Sequence, residues 1–459
     1  MNNIILALVL PFLGAFCIKT FLKRKPIIVA TFFTLLQFIS LLLISKTGTT
    51  VYFLYGIKFS CDFLSYIFAI TSVIIGIFIF LYSIDYFSDE NEEFKNNFSF
   101  WSLILIGCLT GVVFSDNLFL LFIFWELAEF CFYKLIAFYK GENENSSKNN
   151  IYLVTKVCSA IIILFSFILI YINTNSLSLL EMKGSCIPPY VFYLFFIGIM
   201  IKSATFPFHY YIPSTTIAPT PVVSFFNTIL VNISLYGIAK LFIKTLFITS
   251  SVSWIGYIAL FSSVLCGVLS FIEIDIKKIL TYSTISQIGF MICGLLSFNE
   301  IAFKGIMVFY VANVLGKGCL FMCAGILEKV FKTNDITKIS VSAKKMPVTF
   351  TAFLFSSLSI IGIPPFLGSS GKLNIIYGML KSGNIYFAFF SIITLALTLF
   401  YILRLFKYIF IRTTEQTDII TENNERKYKF MMFCVLFLCI LSLLGGIILT
   451  LLTGEELFE

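Results

Sequence analysis

Apolar stretches of about twenty residues follow one another almost without interruption along this chain, and a helix needs about this length to cross a bilayer. Their hydropathy is continuous and does not alternate residue by residue, so helices are predicted, not strands. We therefore predict an all-α polytopic membrane protein with about fourteen transmembrane helices. The predicted helices begin near Ile4, Ile27, Phe63, Phe98, Asn117, Ile151, Tyr190, Pro221, Val252, Ile279, Ile301, Pro347, Ile385 and Lys429.

The composition agrees, because 59% of the residues are hydrophobic and only 12% are charged, which lies outside the range of soluble globular domains. The net charge of +8 is uneven along the chain. Basic residues concentrate in alternate loops, which are Lys19 to Lys25, Lys140 and Lys148, Lys277 and Lys278, Lys329 to Lys345, and Arg404 to Lys429. The positive-inside rule then predicts a multi-pass protein of the cytoplasmic (inner) membrane with both termini outside. Topology accounts for the basic charge, so the lipid bilayer is an expected partner and nucleic acid is not.

Four charged residues, Glu126, Lys202, Lys317 and Lys372, lie within these apolar stretches. A charged side chain near the bilayer centre costs about 2.5 to 3.5 kcal/mol on insertion scales, so such a residue is a candidate for an ion or proton pathway. Four of them suggest a chain of sites.

Two of the spans contain helix-breaking residues. Pro207 lies near the end of one, shortly before His209, the only histidine of the chain, and Pro364 and Pro365 interrupt another. Interrupted helices free backbone carbonyls and amides, which persist at membrane depth only inside protein or along a wet cavity. Repeat-built transporters place such interruptions around their ion sites.

The twelve cysteines include no CxxC pair and fall mostly inside spans. They are interpreted as small buried hydrophobic residues. We therefore expect no metal site, no cofactor and no catalytic or redox centre in this chain.

Five motifs in order resemble one family. They are Trp125-Glu126-Leu127, Lys202 to Pro213 followed by Ala218 to Val222, Asp275 to Gly289, Lys317 to Gly325, and Gly362 to Lys372. Together they resemble the antiporter-like subunits of respiratory complex I, of Mrp-type sodium/proton antiporters and of membrane-bound energy-converting hydrogenases.

The resemblance implies two inverted five-helix repeats, with helices 7 and 12 broken, and a hydrated polar axis at mid-membrane. It divides the chain into helices 1 to 3 (1–97), a first repeat of helices 4 to 8 (98–248), a second of helices 9 to 13 (249–412) and a C-terminal loop with helix 14 (413–459). Glu126 is then expected to pair with Lys202, and ions to pass from there through helices 8 and 11 to Lys372. A nearby carboxylate favours the charged form of a lysine, whereas desolvation favours the neutral form. Opening the Glu126–Lys202 pair would therefore lower the proton affinity of Lys202.

The chain departs from the family where many relatives carry titratable residues. Asn232, or Asn227 if the alignment slips, replaces a lysine or histidine in helix 8, Asn313 replaces a histidine in helix 11, and Ser214 replaces an aspartate. Asparagine cannot take up a proton near neutral pH. Either water bridges the gap between Lys202 and Lys317, or the chain conducts poorly.

Several other charged residues have structural interpretations. Glu129 lies one turn from Glu126, and Lys134 lies about one turn further, so an intrahelical or a helix–helix pair is expected for Glu129. Lys156 either serves the axis or pairs with Glu126 or Glu129. His209 either serves the axis or braces the loop after the break. Lys240, Lys244 and Arg404 lie near helix ends and are expected to extend toward the interface.

The resemblance thus implies a proton or sodium/proton translocating subunit of a multisubunit complex, with other integral membrane subunits as partners, among them a homologous antiporter-like subunit. Such a chain could belong to an ion-translocating oxidoreductase without being its catalytic subunit. The alternatives are a poorly conducting scaffold and a subunit that feeds protons to a partner enzyme in a two-component transporter. The end of the chain at Glu459 leads us to expect similarity to the shorter family members.

Overall fold

The computed structural model describes residues 3–20, 24–44, 49–52, 58–138, 146–248, 254–412 and 427–453. Within these ranges, nine helices are long and apolar enough to span a membrane. Three shorter apolar helices accompany them, and the few strands contain two to four residues each. The prediction of an all-α polytopic membrane protein is confirmed. The sequence-predicted basic loops around Lys140 and beyond Arg412 fall partly outside the described residues.

The chain forms two compact units, and the first comprises Met1–Ala204 and Phe208–Val252. Its elements are α1 (Asn3–Thr20), α2 (Pro26–Leu42), β1 (Thr49–Tyr52), β2 (Lys58–Cys61), α3 (Phe63–Tyr86), α4 (Glu92–Phe114), α5 (Leu118–Ala137), α6 (Ser146–Thr174), β3 (Cys186–Ile187), α7 (Pro189–Lys202), a 3₁₀ turn (Phe208–Tyr211), α8 (Ile212–Thr215), α9 (Thr220–Phe225), a π-helical turn (Phe226–Leu230), α10 (Ile233–Ile238), a second π-helical stretch (Ala239–Thr245) and β4 (Phe247–Ile248). Strands β1 and β2 pair antiparallel, whereas β3 and β4 pair parallel.

The second unit comprises Thr205–Pro207 and Ser253–Glu459. Its elements are α11 (Ile255–Ile272), α12 (Ile276–Leu295), α13 (Glu300–Phe331), α14 (Pro347–Ile361), α15 (Leu367–Lys381), α16 (Ile385–Phe406), a π-helical turn (Lys407–Ile411) and α17 (Lys429–Thr453). The four-part division into N-terminal helices, two inverted repeats and a C-terminal part stays a prediction.

Most helices begin close to the positions that hydropathy predicts, and in five of them a polar residue caps the first turn. The largest offset is in α4, which begins at Glu92 where the sequence predicts a start near Phe98. Residue 252, the predicted start of α11, lies outside the described residues. Side-chain oxygens at the preceding position accept from free backbone N–H groups of the first turn. The capping residues are Asp62, Asn91, Asn117, Asp275 and Asn299.

The two interrupted spans end their first halves in different ways. Helix α7 ends at Lys202, and the backbone of Ala204 turns into the left-handed region before Pro207. Helix α14 ends at Ile361, where Gly362 takes φ of 92°, a conformation that glycine adopts at little cost. Pro364 and Pro365 then precede the start of α15. Each break places helix-terminal carbonyls inside its own unit.

Close packing in the second unit fixes the position of α15 against α13. A Cβ atom built on Gly371 would lie 2.7 Å from the backbone nitrogen of Phe309, so only glycine permits this approach. Lys372, the next residue, is thereby held beside α13.

Candidate functional site

Glu126 and Lys202 form an ion pair inside the first unit. Glu126 projects from α5, and Lys202 occupies the last turn of α7. The ammonium nitrogen of Lys202 lies 2.8 Å from Oε1 of Glu126, and the side chains of Lys202 and Glu126 are 1% and 24% exposed respectively. The Lys202 ammonium also lies 5.2 Å from the ring centre of Trp125, a cation–π distance. The expected pair is therefore present, and its role in ion transfer stays a prediction.

A second pair adjoins the first. Nζ of Lys156 on α6 lies 3.3 Å from Oε1 of Glu129, and both side chains are 4% exposed. The hydroxyl of Tyr152 donates to Oε2 of Glu129 at 2.6 Å. Nζ of Lys202 lies 3.8 Å from Oε1 of Glu129 and so links the two pairs. We call Glu126, Glu129, Lys156 and Lys202 the paired cluster; its two carboxylates can balance its two ammonium groups.

Lys156 also reaches the break at the end of α7. Its ammonium donates to the backbone carbonyl of Lys202 at 2.9 Å. The Tyr211 hydroxyl lies within hydrogen-bonding distance of the same carbonyl, at 3.1 Å, and of the Ile201 carbonyl, at 3.0 Å. The break leaves these carbonyls without their helical hydrogen bonds, and the side chains of Lys156 and Tyr211 replace those bonds. Movement of Lys156 would therefore disturb both its ion pair with Glu129 and the end of α7.

The second unit contains Lys317, which is fully buried in α13. Its ammonium donates to the Ser283 hydroxyl on α12 and approaches the Leu280 carbonyl at 3.5 Å. The ring of Tyr401 on α16 lies 5.8 Å away. All these partners are uncharged oxygen or aromatic groups.

Lys372 on α15 binds the end of the other half of its broken helix. Its ammonium donates to the Ile360 carbonyl at 2.6 Å and the Ile361 carbonyl at 3.3 Å, the last two residues of α14. The C-terminal end of a helix carries partial negative charge, which favours a cation there. The ring of Phe309 lies 5.0 Å from the ammonium. We call Lys317 and Lys372 the unpaired lysines, because no carboxylate of the described residues lies within ion-pair distance of either.

The asparagines that replace titratable residues are buried in their helices. The Asn232 amide donates to the Thr228 carbonyl of its own helix at 2.9 Å, and its Oδ1 has no partner among the described residues. Neither amide atom of Asn313 has a hydrogen-bond partner in that part of the chain. Asn313 precedes Lys317 by one helical turn. Buried polar atoms of this kind are typical positions for ordered water.

His209 and Ser214 lie in the short helical turns after the first break. His209 is partly buried in the 3₁₀ turn, and the Ser214 hydroxyl donates to the Tyr211 carbonyl at 2.5 Å. The contact of Ser214 braces the turn. Pro207 precedes this turn in the segment Thr205–Pro207, where the Phe206 amide donates to the Ser262 hydroxyl at 2.9 Å.

The prediction for Lys240 was wrong. This side chain is buried instead of extending toward the interface, and its ammonium lies 2.7 Å from Oδ2 of Asp62 at the start of α3. Burial raises the pKa of Asp62 and the Lys240 ammonium lowers it, with the lowering prevailing. Arg404 is partly exposed, and its guanidinium donates to the carbonyls of Phe271 and Glu273 at the end of α11, so its expected extension toward the interface stays a prediction.

Sequence reasoning missed Tyr152, Tyr211 and Ser283, which contact the buried charges. Ser283 falls within a motif that resembles the family, but its polarity alone did not distinguish it from neighbouring serines and threonines. The chain contains 22 tyrosines, and nothing in the sequence distinguishes Tyr152 and Tyr211 from the others.

A family model described as NADH:quinone oxidoreductase/Mrp antiporter, TM, matches residues 115–398. This region covers more than half of the chain and includes the paired cluster and the unpaired lysines. The chain belongs to this family. The matched region of this NADH:quinone oxidoreductase/Mrp antiporter family member extends over both compact units.

Two curated relatives are components of Na(+)/H(+) antiporters. The one from Staphylococcus haemolyticus is 30% identical over 98% of this chain and 60% of its own length. The one from Alkalihalophilus pseudofirmus is 30% identical over 80% of this chain and 49% of its own length. The chain thus spans about half the length of the curated relatives that it matches.

Two solved structures share the fold of this family member. A chain of the Mrp complex from Dietzia sp. aligns with a TM-score of 0.85 at 19% identity, covering 98% of this chain and 95% of its own. A chain of the archaeal membrane-bound sulfane sulfur reductase aligns with a TM-score of 0.82 at 18% identity, covering 99% of this chain and 96% of its own. At such identities the likeness concerns the fold alone.

Proposed function

We propose that this chain is an ion-translocating, antiporter-like subunit of a multisubunit membrane complex, and that it moves protons or exchanges sodium for protons. The observation that carries the proposal is the Glu126–Lys202 ion pair at the end of a broken helix, in which the lysine is fully and the glutamate partly buried. Charge in a membrane span is costly and marks ion or proton pathways. The antiporter names of the curated relatives support the same function.

In this proposal the paired cluster is a switch. When Glu126 lies against Lys202, the carboxylate stabilises the ammonium and holds its proton. When Glu126 moves away, desolvation favours the neutral amine, and Lys202 releases the proton. Glu129 and Lys156 hold the neighbouring helix end while this happens. The unpaired lysines, Lys317 and Lys372, then accept and release a proton one after the other within the second unit.

The partners we propose are other integral membrane subunits, among them a homologous antiporter-like subunit. The titles of the two solved structures, an Mrp complex and a respiratory membrane complex, support an assembly of this kind. The distribution of lysine and arginine supports a cytoplasmic membrane location with both termini outside. The proposal assigns no cofactor to this chain and places any redox chemistry in other subunits.

A poorly conducting scaffold is the second candidate, and the asparagines favour it. Asn232 and Asn313 cannot carry a proton themselves near neutral pH. Asn232 also donates to a carbonyl of its own helix, which leaves its amide less free to order water.

Proton transport by the reconstituted, energised complex tests the proposal. We expect Lys202→Ala and Lys372→Ala each to abolish transport and Glu126→Gln to slow it, with assembly of the complex retained. Lys381→Ala is the matched control, because Lys381 is an exposed lysine at the end of the same helix as Lys372. Unchanged transport in all three variants would overturn the ion-path role and support the scaffold.

A further inference from the structure

The ammonium of Lys372 occupies a cation-binding position that the broken helix forms. The oxygens that hold it are the backbone carbonyls of Ile360 and Ile361, at 2.6 and 3.3 Å. These carbonyls end α14, so their dipoles and that of the helix favour positive charge. Helix ends and unwound carbonyls inside membrane proteins also bind alkali cations. The position therefore suits either an ammonium group or a metal cation of similar charge.

Further oxygen atoms lie on the same helix one turn earlier. The hydroxyls of Ser356 and Ser357 are buried, at 0% and 2% exposure, and neither has a hydrogen-bond partner in the described part of the chain. They lie one turn, about 6 Å along the helix axis, before Ile360 and Ile361, and their side chains lean away from that helix end, so they are not ligands of a cation held by these carbonyls. Unsatisfied buried hydroxyls are rare and indicate water or an ion.

The charges around Lys372 leave the site open to a competing cation. Helix α15 packs against α12, α13, α14, α16 and α17. Of the groups on these helices, Lys317 on α13 interacts electrostatically with Lys372, and α14 has no charged side chain. The two charged residues of α12 have partners elsewhere, since Lys277 pairs with Glu328 and Lys278 lies 4.0 Å from Glu273. Arg404 of α16 donates to the carbonyls of Phe271 and Glu273. No carboxylate of the described residues therefore locks the Lys372 ammonium in place.

We propose that Na⁺ and the protonated side chain of Lys372 compete for the carbonyls of Ile360 and Ile361. The proposal rests on the proposed ion-translocating function and identifies where sodium would bind. When an Nζ–H bond breaks, the proton leaves toward solvent and the electron pair stays on nitrogen. The neutral amine no longer repels a cation, and its lone pair can serve as a further ligand. One Na⁺ then replaces one proton, a one-for-one exchange at a single site.

Equilibrium binding of ²²Na⁺ to the purified, non-energised complex tests this inference at several pH values. In the wild type, Na⁺ binding at this site should strengthen as the pH rises, by up to about tenfold per pH unit, because one proton leaves for each Na⁺ bound. Lys372→Met removes the competing ammonium and should make Na⁺ binding at this site independent of pH. Lys372→Arg keeps a permanent cation at this position and should abolish it at every pH.

One further variant makes the result specific. Lys381→Met should bind Na⁺ as the wild type does, because Lys381 is exposed at the end of α15. The wild-type complex alone serves if the Lys372 variants fail to assemble, because competition with one proton requires Na⁺ binding to strengthen as the pH rises. Na⁺ binding that is the same in wild type, Lys372→Met and Lys372→Arg would overturn the inference, as would Na⁺ binding to the wild type that does not change with pH.

The same complexes separate this inference from the proposed function. If Lys372→Ala stops proton transport while none of the substitutions changes Na⁺ binding, the proton path stands and the sodium site is wrong. If Na⁺ binding changes as expected while proton transport is unaffected by Lys202→Ala, Lys372→Ala and Glu126→Gln, the site stands and the proposed proton path is wrong.

Discussion

The two units hold buried lysines by different electrostatic means. In the paired cluster, Lys156 and Lys202 each face a carboxylate. Of the unpaired lysines, Lys317 faces a serine hydroxyl and Lys372 two backbone carbonyls. A carboxylate supplies a full charge that stabilises the ammonium, whereas hydroxyl and carbonyl dipoles supply only part of that stabilisation. The first arrangement favours retention of a proton, and the second makes release easier.

The absence of a carboxylate partner is particular to Lys317 and Lys372 and does not extend to every buried lysine of the second unit. Lys277 in the same unit is buried and lies 2.7 Å from Oε1 of Glu328. That pair is near the start of α12 and the end of α13, close to where the loops begin. In the second unit, therefore, a lysine near the helix ends has a carboxylate partner, whereas the two lysines within the spans contact uncharged oxygens.

The largest expected effect concerns stability, and it separates the two arrangements. Lys202→Ala leaves the partly buried Glu126 and the buried Glu129 with one ammonium group, that of Lys156, between them. Removing one partner from a buried set of charges costs about 3 to 5 kcal/mol. Lys372→Ala leaves carbonyls without a donor, which costs about 1 to 3 kcal/mol. Thermal unfolding of the purified complex should therefore show a larger decrease in midpoint for Lys202→Ala.

The double variant Lys202→Ala/Glu126→Gln is the control for this prediction. It removes both charges, so it should recover part of the lost stability. Equal destabilisation by Lys202→Ala and Lys372→Ala, with no recovery in the double variant, would contradict the electrostatic difference between the units.

The positions of the buried charges were predictable from the sequence, but most of their partners were not. Hydropathy locates Lys202, Lys317 and Lys372, because a charge interrupts an apolar stretch visibly. The pairing of Glu126 with Lys202 followed from the family resemblance. Backbone carbonyls, such as those that hold Lys372, leave no signature in the sequence because every residue has one.

Tertiary packing also decided between interpretations that the sequence left open. Lys156 had several possible partners, and only the packing of α6 against α5 and α7 brings it to Glu129 and the end of α7. Lys240 was misread because its partner, Asp62, lies far away in the sequence. Pairs between distant spans cannot be derived from helical spacing, which relates only neighbours on one helix.

An intermediate effect is expected when a carboxylate is added to the second unit. Ser283→Asp places an acidic group where the Lys317 ammonium now binds a hydroxyl. A hydrogen bond to a charged group contributes about 1.5 to 3 kcal/mol, so Lys317 should hold its proton more tightly by about ten- to a hundredfold. Proton transport by the energised complex should slow correspondingly.

Ser283→Asn is the matched control for the added charge. It has nearly the same size as aspartate but adds no negative charge, so it should slow transport much less. If both variants transport protons at equal rates, the charge beside Lys317 does not control its proton, and the contrast between paired and unpaired lysines loses its functional meaning.

The smallest expected effect concerns the helix end in the first unit. Tyr211→Phe removes the hydroxyl that lies beside the carbonyls of Ile201 and Lys202, whereas Lys156 still donates to the second of these. We expect a loss of about 1 kcal/mol in stability, the usual net contribution of one hydrogen bond. Tyr210→Phe is the control, because Tyr210 is exposed and its hydroxyl shares a partly buried hydrogen bond with Thr155, away from the helix end. A larger shift in unfolding midpoint for Tyr211→Phe than for Tyr210→Phe would indicate that the first break depends on a tyrosine for an interaction that Lys372 provides at the second. Equal shifts would mean that Lys156 alone stabilises the first break, and the two broken helices would then both rely on a lysine ammonium.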